Sequence, residues 1–231
     1  MRTALADFRS SLERVRDIAD DNDKNVSAIL SDSALRNRCE SVRCAATVIL
    51  SGFLESFLKQ LADKCIGAVS ALNKPFASLP EKIQHSHYEF GGAALSRRAQ
   101  DDRARRPSRI QATAHNIASR LASVASVPYD VVWEAFAETH SNPNSETIAH
   151  YLKRFGVDRP WDRLAQKQKV TTSPLALQTR LDSFVLLRHE CAHTGTANTV
   201  PTPSELREFC DLLDAIADAI VSVLEDHVAS L

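Results

Sequence analysis

Apolar residues recur at helical spacing along most of the chain, and no convincing stretch shows the period of two that a half-buried strand requires. In residues 3–19, Leu5, Phe8, Leu12, Val15 and Ile18 or Ala19 mark one face of an amphipathic helix, which "DDNDKN" closes. Ser31, Asp32 and Ser33 are the N-cap choices for the next helix. Its stripe of Leu35, Cys39, Val42, Ala46, Ile49, Phe53, Phe57 and Leu61 predicts a long element reaching about Asn73, with Gly67 as a place to kink. "KPFASLPEKIQHSHYEFGG" carries two prolines and a Gly-Gly pair and reads as an ordered loop with one helical turn.

Beyond it, Pro107-Ser108 opens a helix "SRIQATAHNIASRLASVASV", and Pro128 opens another at "YDVVWEAFAETHS". An Asn/Ser cap precedes Glu146, and Gly156 follows the last turn of that helix. "RPWDRLAQKQ" is short, with Pro160 near its first position. In "SPLALQTRLDSFVLLRHECAHTG" the stripe is Leu177, Leu181, Phe184, Val185, Arg188 and Ala192, stopped at Gly195. A final helix carries Leu206, Phe209 or Cys210, Leu213, Ile216 or Ala217 and Ile220. The fold class is all-α.

Composition agrees. Only six glycines in 231 residues leave long stretches without the punctuation that short strands need. Hydrophobic content of 44% and charged content of 25% suit a soluble globular protein. The formal net charge of −1 gives no global field toward nucleic acid or membrane, so any RNA affinity is local. Five cysteines, odd in number and without a C-x-x-C pair, read as reduced thiols of a cytoplasmic protein. The N-terminal segment lacks the apolar core of a signal peptide, and the run "AATVILSGFL" is short for a bilayer span.

The local charge is in "SRRAQDDRARRPSR", where Arg97, Arg98, Arg103, Arg105, Arg106 and Arg109 face two aspartates. It is a candidate phosphate contact, or a solvated face whose Arg–Asp pairs neutralise each other.

"RHECAH", residues 188–193, holds two motifs. His189-Glu190-Cys191-Ala192-His193 fits H-E-x-x-H, in which two imidazoles at i and i+4 bind zinc and the glutamate acts as base. That reading needs a third ligand, for which Glu205 or Glu208 would have to serve, and it suits a sheet-edge substrate site that this chain lacks. Arg188 and His193 instead fit R-x4-H, which needs no metal. An arginine in line with apolar residues is costly unless partnered. It either snorkels to a surface carboxylate or awaits a phosphate. His193, near the helix end, either compensates the helix dipole or faces a cleft.

"LDSFVLLRHECAHTG" resembles the signature of the HEPN superfamily, an all-α family in which an apolar helix ends in Arg, a polar residue and, a few positions on, His. "RNRCESVRCAATVILSGFLESFLKQLA" resembles its long early helix, and "SNPNSETIAHYLKRFGVDRPWDRL" a stretch of the RiboL-PSP-HEPN branch. The likeness covers about residues 33–225. Where the family commonly has Asn after the arginine, this chain has His189, also a hydrogen-bond donor but bulkier.

The resemblance implies one HEPN-like helical domain over 1–231. Residues 1–30 are then a helical extension and 33–228 the bundle, with a loop and basic insertion at 74–110. It implies a metal-independent endoribonuclease on single-stranded RNA, without cofactor. His193 is then the general acid or base, Arg188 the stabiliser of phosphorane-like charge, and His189 a substrate positioner. Glu55 is a weaker supporting candidate, since at i, i+4 it pairs naturally with Lys59. Implied partners are RNA, a second copy completing a composite site, and an antitoxin or other regulatory protein in a toxin–antitoxin or anti-phage setting. Family members lacking the Arg and His bind nucleotide, RNA or protein without cutting, so a binding module is the alternative.

Overall fold

Each long apolar stripe is matched by a helix in the computed structural model, which describes residues 1–105, 119–125, 129–139, 142–167, 173–194 and 200–231. The helices are α1 (Arg2–Lys24), α2 (Val26–Ile29), α3 (Ser33–Ala71), α4 (Glu81–Arg105), α5 (Ser145–Arg154), α6 (Pro160–Lys167), α7 (Pro174–Thr194) and α8 (Pro203–Ser230). No strand occurs among the described residues.

α1, α3, α7 and α8 make the central bundle. Phe8 of α1 stacks on Phe57 of α3 at 4.9 Å, and farther along Arg43 of α3 donates to Asn22 of α1 at 3.2 Å, so these two helices run antiparallel. α1 and α8 are antiparallel as well. Arg2, Arg9 and Arg16, seven residues apart, meet Glu225, Asp218 and Asp211, also seven apart in reverse order. Phe184 of α7 lies 5.2 Å from Phe209 of α8, and Pro174 and Val223 line one cavity, so α7 opposes α8 and hence α3.

α1 is no appendage: Leu5, Phe8, Leu12, Val15 and Ala19 belong to the same core as α3 and α8. It also runs through the acidic stretch expected to close it. Asn22 is buried there between the Ile18 carbonyl and Arg43, while Arg207 of α8 pairs with Asp20 and Asp23.

α3 starts where Asp32 accepts from the backbone of Ala34 and Leu35, and it continues unbroken past Gly67. Its apolar face differs from the expected stripe. Val42 and Ile49 are 44% exposed, whereas Cys44, Thr47, Leu50, Ser51, Leu54 and Leu58 are buried. A helix with α1, α7 and α8 around it buries more than one stripe, so the best single line of apolar residues is a poor guide. α3 is also long and apolar enough to cross a membrane by composition, correcting the expectation from its short apolar run; here it is the central helix of the bundle.

The expected loop at 74–92 is corrected more strongly. After a 3₁₀ turn at Phe76–Ser78, residues 81–105 form one helix, α4. Pro80 precedes that helix and does not interrupt it, and Gly91 lies inside it because the chain passes close by. A Cβ there would sit 3.4 Å from Leu121 and 3.5 Å from Val132. One turn earlier His87, fully buried, accepts the Val132 N–H at Nδ1.

The expected helix at "YDVVWEAFAETHS" is also absent. Residues 129–139 are irregular apart from a 3₁₀ turn at Trp133–Ala135, because Tyr129, Val131, Val132, Phe136 and Ala137 are buried without helical periodicity. The helix expected at 108–127 lies mostly outside the described residues; 119–122 are helical.

Candidate active site

α7 begins at Pro174, with the Ser173 hydroxyl accepting the Ala176 N–H, and buries Leu177, Leu181, Phe184 and Val185 as expected. At its last turn the stripe shifts. Cys191 is buried and Ala192 exposed. The Cys191 thiol meets that of Cys44 on α3. Burial first, then the Cys44 hydrogen bond, push it up to about 12. It is a neutral packing group and no nucleophile at ordinary pH.

That thiol contact fixes the register between α7 and α3, placing Arg188 level with about Thr47. Arg188 is half-buried. Its Nε is buried with no hydrogen-bond partner, and no carboxylate pairs with it among the described residues. The snorkelling alternative is therefore not what the structure has. An unmet buried donor of this kind costs roughly 1–3 kcal/mol.

His189 and His193 are both exposed, with ring centroids 4.2 Å apart and planes at 56°. α7 is still helical at His193. Positions five apart on a helix differ by about 140° and about 7.5 Å of rise, whereas positions four apart differ by about 40°. One copy thus brings the two imidazoles together and sets the guanidinium to one side of them.

The ring of His189 borders a groove of about 320 Å³ between α7 and the start of α5. Asn142, Asn144, Glu146 and Leu186 contribute to its wall. The groove is held open by a clasp. Asp182 of α7 accepts from the Ser145 N–H and hydroxyl, both at 2.7 Å, while Asn144 caps α5 through the Thr147 N–H. Trp161 donates to the Ser145 carbonyl at 3.1 Å. Sequence reasoning found the Asn/Ser cap but not the groove, because no local signal says that Ser145 meets a residue 37 positions away.

The remaining candidates are scattered. Glu55 is half-buried on α3, eight residues beyond Thr47 and so about 12 Å along the axis from the level of Arg188, and no ion pair joins it to Lys59. Arg97, Arg98, Arg103 and Arg105 lie in the last turns of α4, which packs against α5 and the 133–135 turn. Arg106 and Arg109 lie outside the described residues. Of the arginines that begin the long early helix, Arg36 bonds the Ile29 carbonyl and Arg43 the Pro201 carbonyl, both structural tasks.

A larger cavity of about 840 Å³ lies at the other end of α7, beside Pro174. It is about 22 Å from His189 along the helix, and Asp158, Arg159, Asp162, Arg163, Lys167 and Asp226 line it with alternating charge. It does not adjoin the motif.

Among the described residues no third His, Cys, Asp or Glu joins His189 and His193 in a metal-binding group. Glu205, one of the two ligands the zinc reading needed, instead accepts from the Thr202 N–H and hydroxyl in a capping box at the start of α8. Glu208 is exposed on that helix.

No curated protein and no solved structure matches the chain. A family model described as RiboL-PSP-HEPN matches residues 9–226, taking in most of α1 together with the early helix, the groove and the motif helix. With a helical fold throughout the described residues and R-x4-H at the end of α7, the chain belongs to the RiboL-PSP-HEPN family.

Proposed function

We propose that this chain is a metal-independent endoribonuclease acting on single-stranded RNA. The observation that carries the reading is the Arg188 Nε–H, buried without an acceptor, on the same end of α7 as two exposed imidazoles. A guanidinium so placed suits a phosphate oxygen, which its planar fork binds well.

In the reaction, His193 takes the proton of a ribose 2′-hydroxyl, whose oxygen attacks the adjacent phosphorus. The 5′-oxygen leaves with a proton from a general acid, giving a 2′,3′-cyclic phosphate and a 5′-hydroxyl. Arg188 stabilises the charge on the non-bridging oxygens, an effect that grows where water is excluded. His189 positions the substrate. Its ring touches that of His193, so the two lie on the same side of any bound phosphate and do not serve as base and acid on opposite sides. The acid comes from a second copy of this chain, and the working unit is a homodimer with a composite site. The arginines between Arg97 and Arg109 are the candidate phosphate contacts for the RNA strand. The setting we attach to this activity, from family likeness alone, is toxin–antitoxin or anti-phage defence in the cytoplasm, with an antitoxin or other regulatory protein as partner.

One observation favours a second reading, a binding module without catalysis. Positions 188 and 193 lie about 140° apart around the helix axis, so an isolated copy would hold a phosphate at Arg188 away from the His193 position.

The test is end-labelled single-stranded RNA incubated with the protein in EDTA, beside Arg188→Ala, His193→Ala and a DNA of the same sequence. Expected is cleavage that survives EDTA, leaves cyclic phosphate ends, spares DNA and is lost in both variants. RNA retained intact on the wild-type protein supports the binding module, and cleavage undiminished in both variants removes the nuclease assignment.

A further inference from the structure

The groove beside His189 has a chemistry different from that of the motif. Although it opens at a helix N-terminus, it is not built for an anion. The Ser145 N–H is taken by Asp182 and the Thr147 N–H by Asn144, and the carboxylates of Asp182 and Glu146 stand at its wall. A phosphate entering here meets two negative charges and donors already engaged.

What the groove offers is acceptors and a small apolar surface. The Asn142 Oδ1 is buried with no hydrogen-bond partner, and the nearest ion-pair neighbour of Glu146 is His150, 3.9 Å away and itself on the surface. Val185 and Leu186 supply the apolar part, and Leu186 is 63% exposed. At the rim the His189 imidazole gives a flat face of the kind on which unpaired bases stack. The volume of about 320 Å³ admits a single ring system, not a duplex.

We propose that this groove is a nucleobase subsite that selects a base carrying an exocyclic amino group, with Asn142 and Glu146 as acceptors and His189 and Leu186 as its stacking and apolar walls. Adenine, cytosine and guanine present such a donor; uracil does not. His189 and His193 are one turn apart, about 6 Å along the axis, so a base held here lies beside the phosphate presented to His193. The inference rests on the ribonuclease reading for its place in the reaction, but its chemistry concerns binding alone.

The experiment uses fluorescence anisotropy with the His193→Ala chain, which holds RNA uncut. The probes are labelled uridine octamers, either all uridine or with one central adenosine or cytidine. Expected is binding at least fivefold tighter for the adenosine and cytidine probes. The gap should close in a further Asn142→Leu or Glu146→Leu change and persist in Asn142→Asp, which keeps an acceptor whichever way the side chain turns. Circular dichroism establishes that each variant is folded. Equal binding of all three probes, or a gap unchanged in folded Asn142→Leu and Glu146→Leu chains, overturns the subsite. The nuclease reading is judged apart, on the wild-type chain. A base preference in binding without cleavage removes the nuclease and keeps the subsite. Cleavage by the wild-type chain without a base preference in the probes does the reverse.

Discussion

Arginines are used in opposite ways along the α1–α8 seam and at the end of α7. On the seam each has a carboxylate. Arg2 lies between Asp218 and Glu225, Arg9 between Asp214 and Asp218, Arg16 between Glu13 and Asp211, and Arg207 between Asp20 and Asp23. At the end of α7 the half-buried Arg188 has none among the described residues. Water already solvates the seam charges, so each pair contributes little and the set mainly fixes how two helices register. Arg188 has lost part of its water without gaining a partner, which lowers stability. Among the described residues the four seam arginines have carboxylates and Arg188 does not, which is the asymmetry the proposed phosphate contact would explain.

The largest effect that would break this contrast is in activity. Arg188→Met and His193→Ala should each lower RNA cleavage by roughly 10²- to 10³-fold, while Arg9→Met leaves it within about twofold. Thermal melting of Arg188→Met should be unchanged or higher, since the variant removes an unmet donor. A loss above about 2 kcal/mol would mean that Arg188 is a structural strut after all.

The buried histidines sharpen the contrast through pH, because the seam pairs contain none. Burial holds His87 below its usual value; of the nearby charges, Arg120 lowers it further and Asp130 acts the other way. His227, whose Nε2–H donates to the Phe155 carbonyl, is lowered by burial as well. A ring that protonates less readily when folded leaves the unfolded chain binding more protons. Stability from this source is therefore full above the unfolded value near 6.5 and is lost as pH falls from there toward the folded values. Unfolding midpoints measured between pH 7.5 and 5 should decline. His87→Leu, which leaves the Val132 N–H unmet, should cost about 1–3 kcal/mol at pH 7.5 and flatten that decline.

Smaller again is the clasp. Asp182→Ala releases the Ser145 N–H and should cost about 1 kcal/mol, seen as a melting temperature lower by roughly 2–4 °C. Smallest are the seam pairs: Arg9→Met should cost less than about 1 kcal/mol, and 0.5 M salt should reduce even that in denaturant titrations.

What could be read from the sequence divides along physical lines. α8 was legible in its main stripe, since Leu206, Leu213 and Ile220 are buried on a helix whose one wet face leaves a clear period. α3 was legible as a helix but not in its facing, because its neighbours on several sides erase that period and leave Val42 and Ile49 outside. The run at 129–139 gave no period because its backbone is irregular, and α4 was misread because Gly91 serves close packing, which resembles a turn signal on paper. At the site, "RHECAH" names the chemically able groups, yet only three-dimensional contact brings Asn142 and Glu146 to His189. The missing partner of Arg188 is likewise a fact of packing.

The bond from Trp161 to the Ser145 carbonyl has a practical consequence. The indole is mostly buried behind the wall that Ser145 contributes to the groove, and the only other tryptophan, Trp133, is in a different part of the fold. Replacing Trp133 with phenylalanine would leave a single intrinsic fluorophore one hydrogen bond from the groove. Its emission would report occupancy in unlabelled protein, in real time.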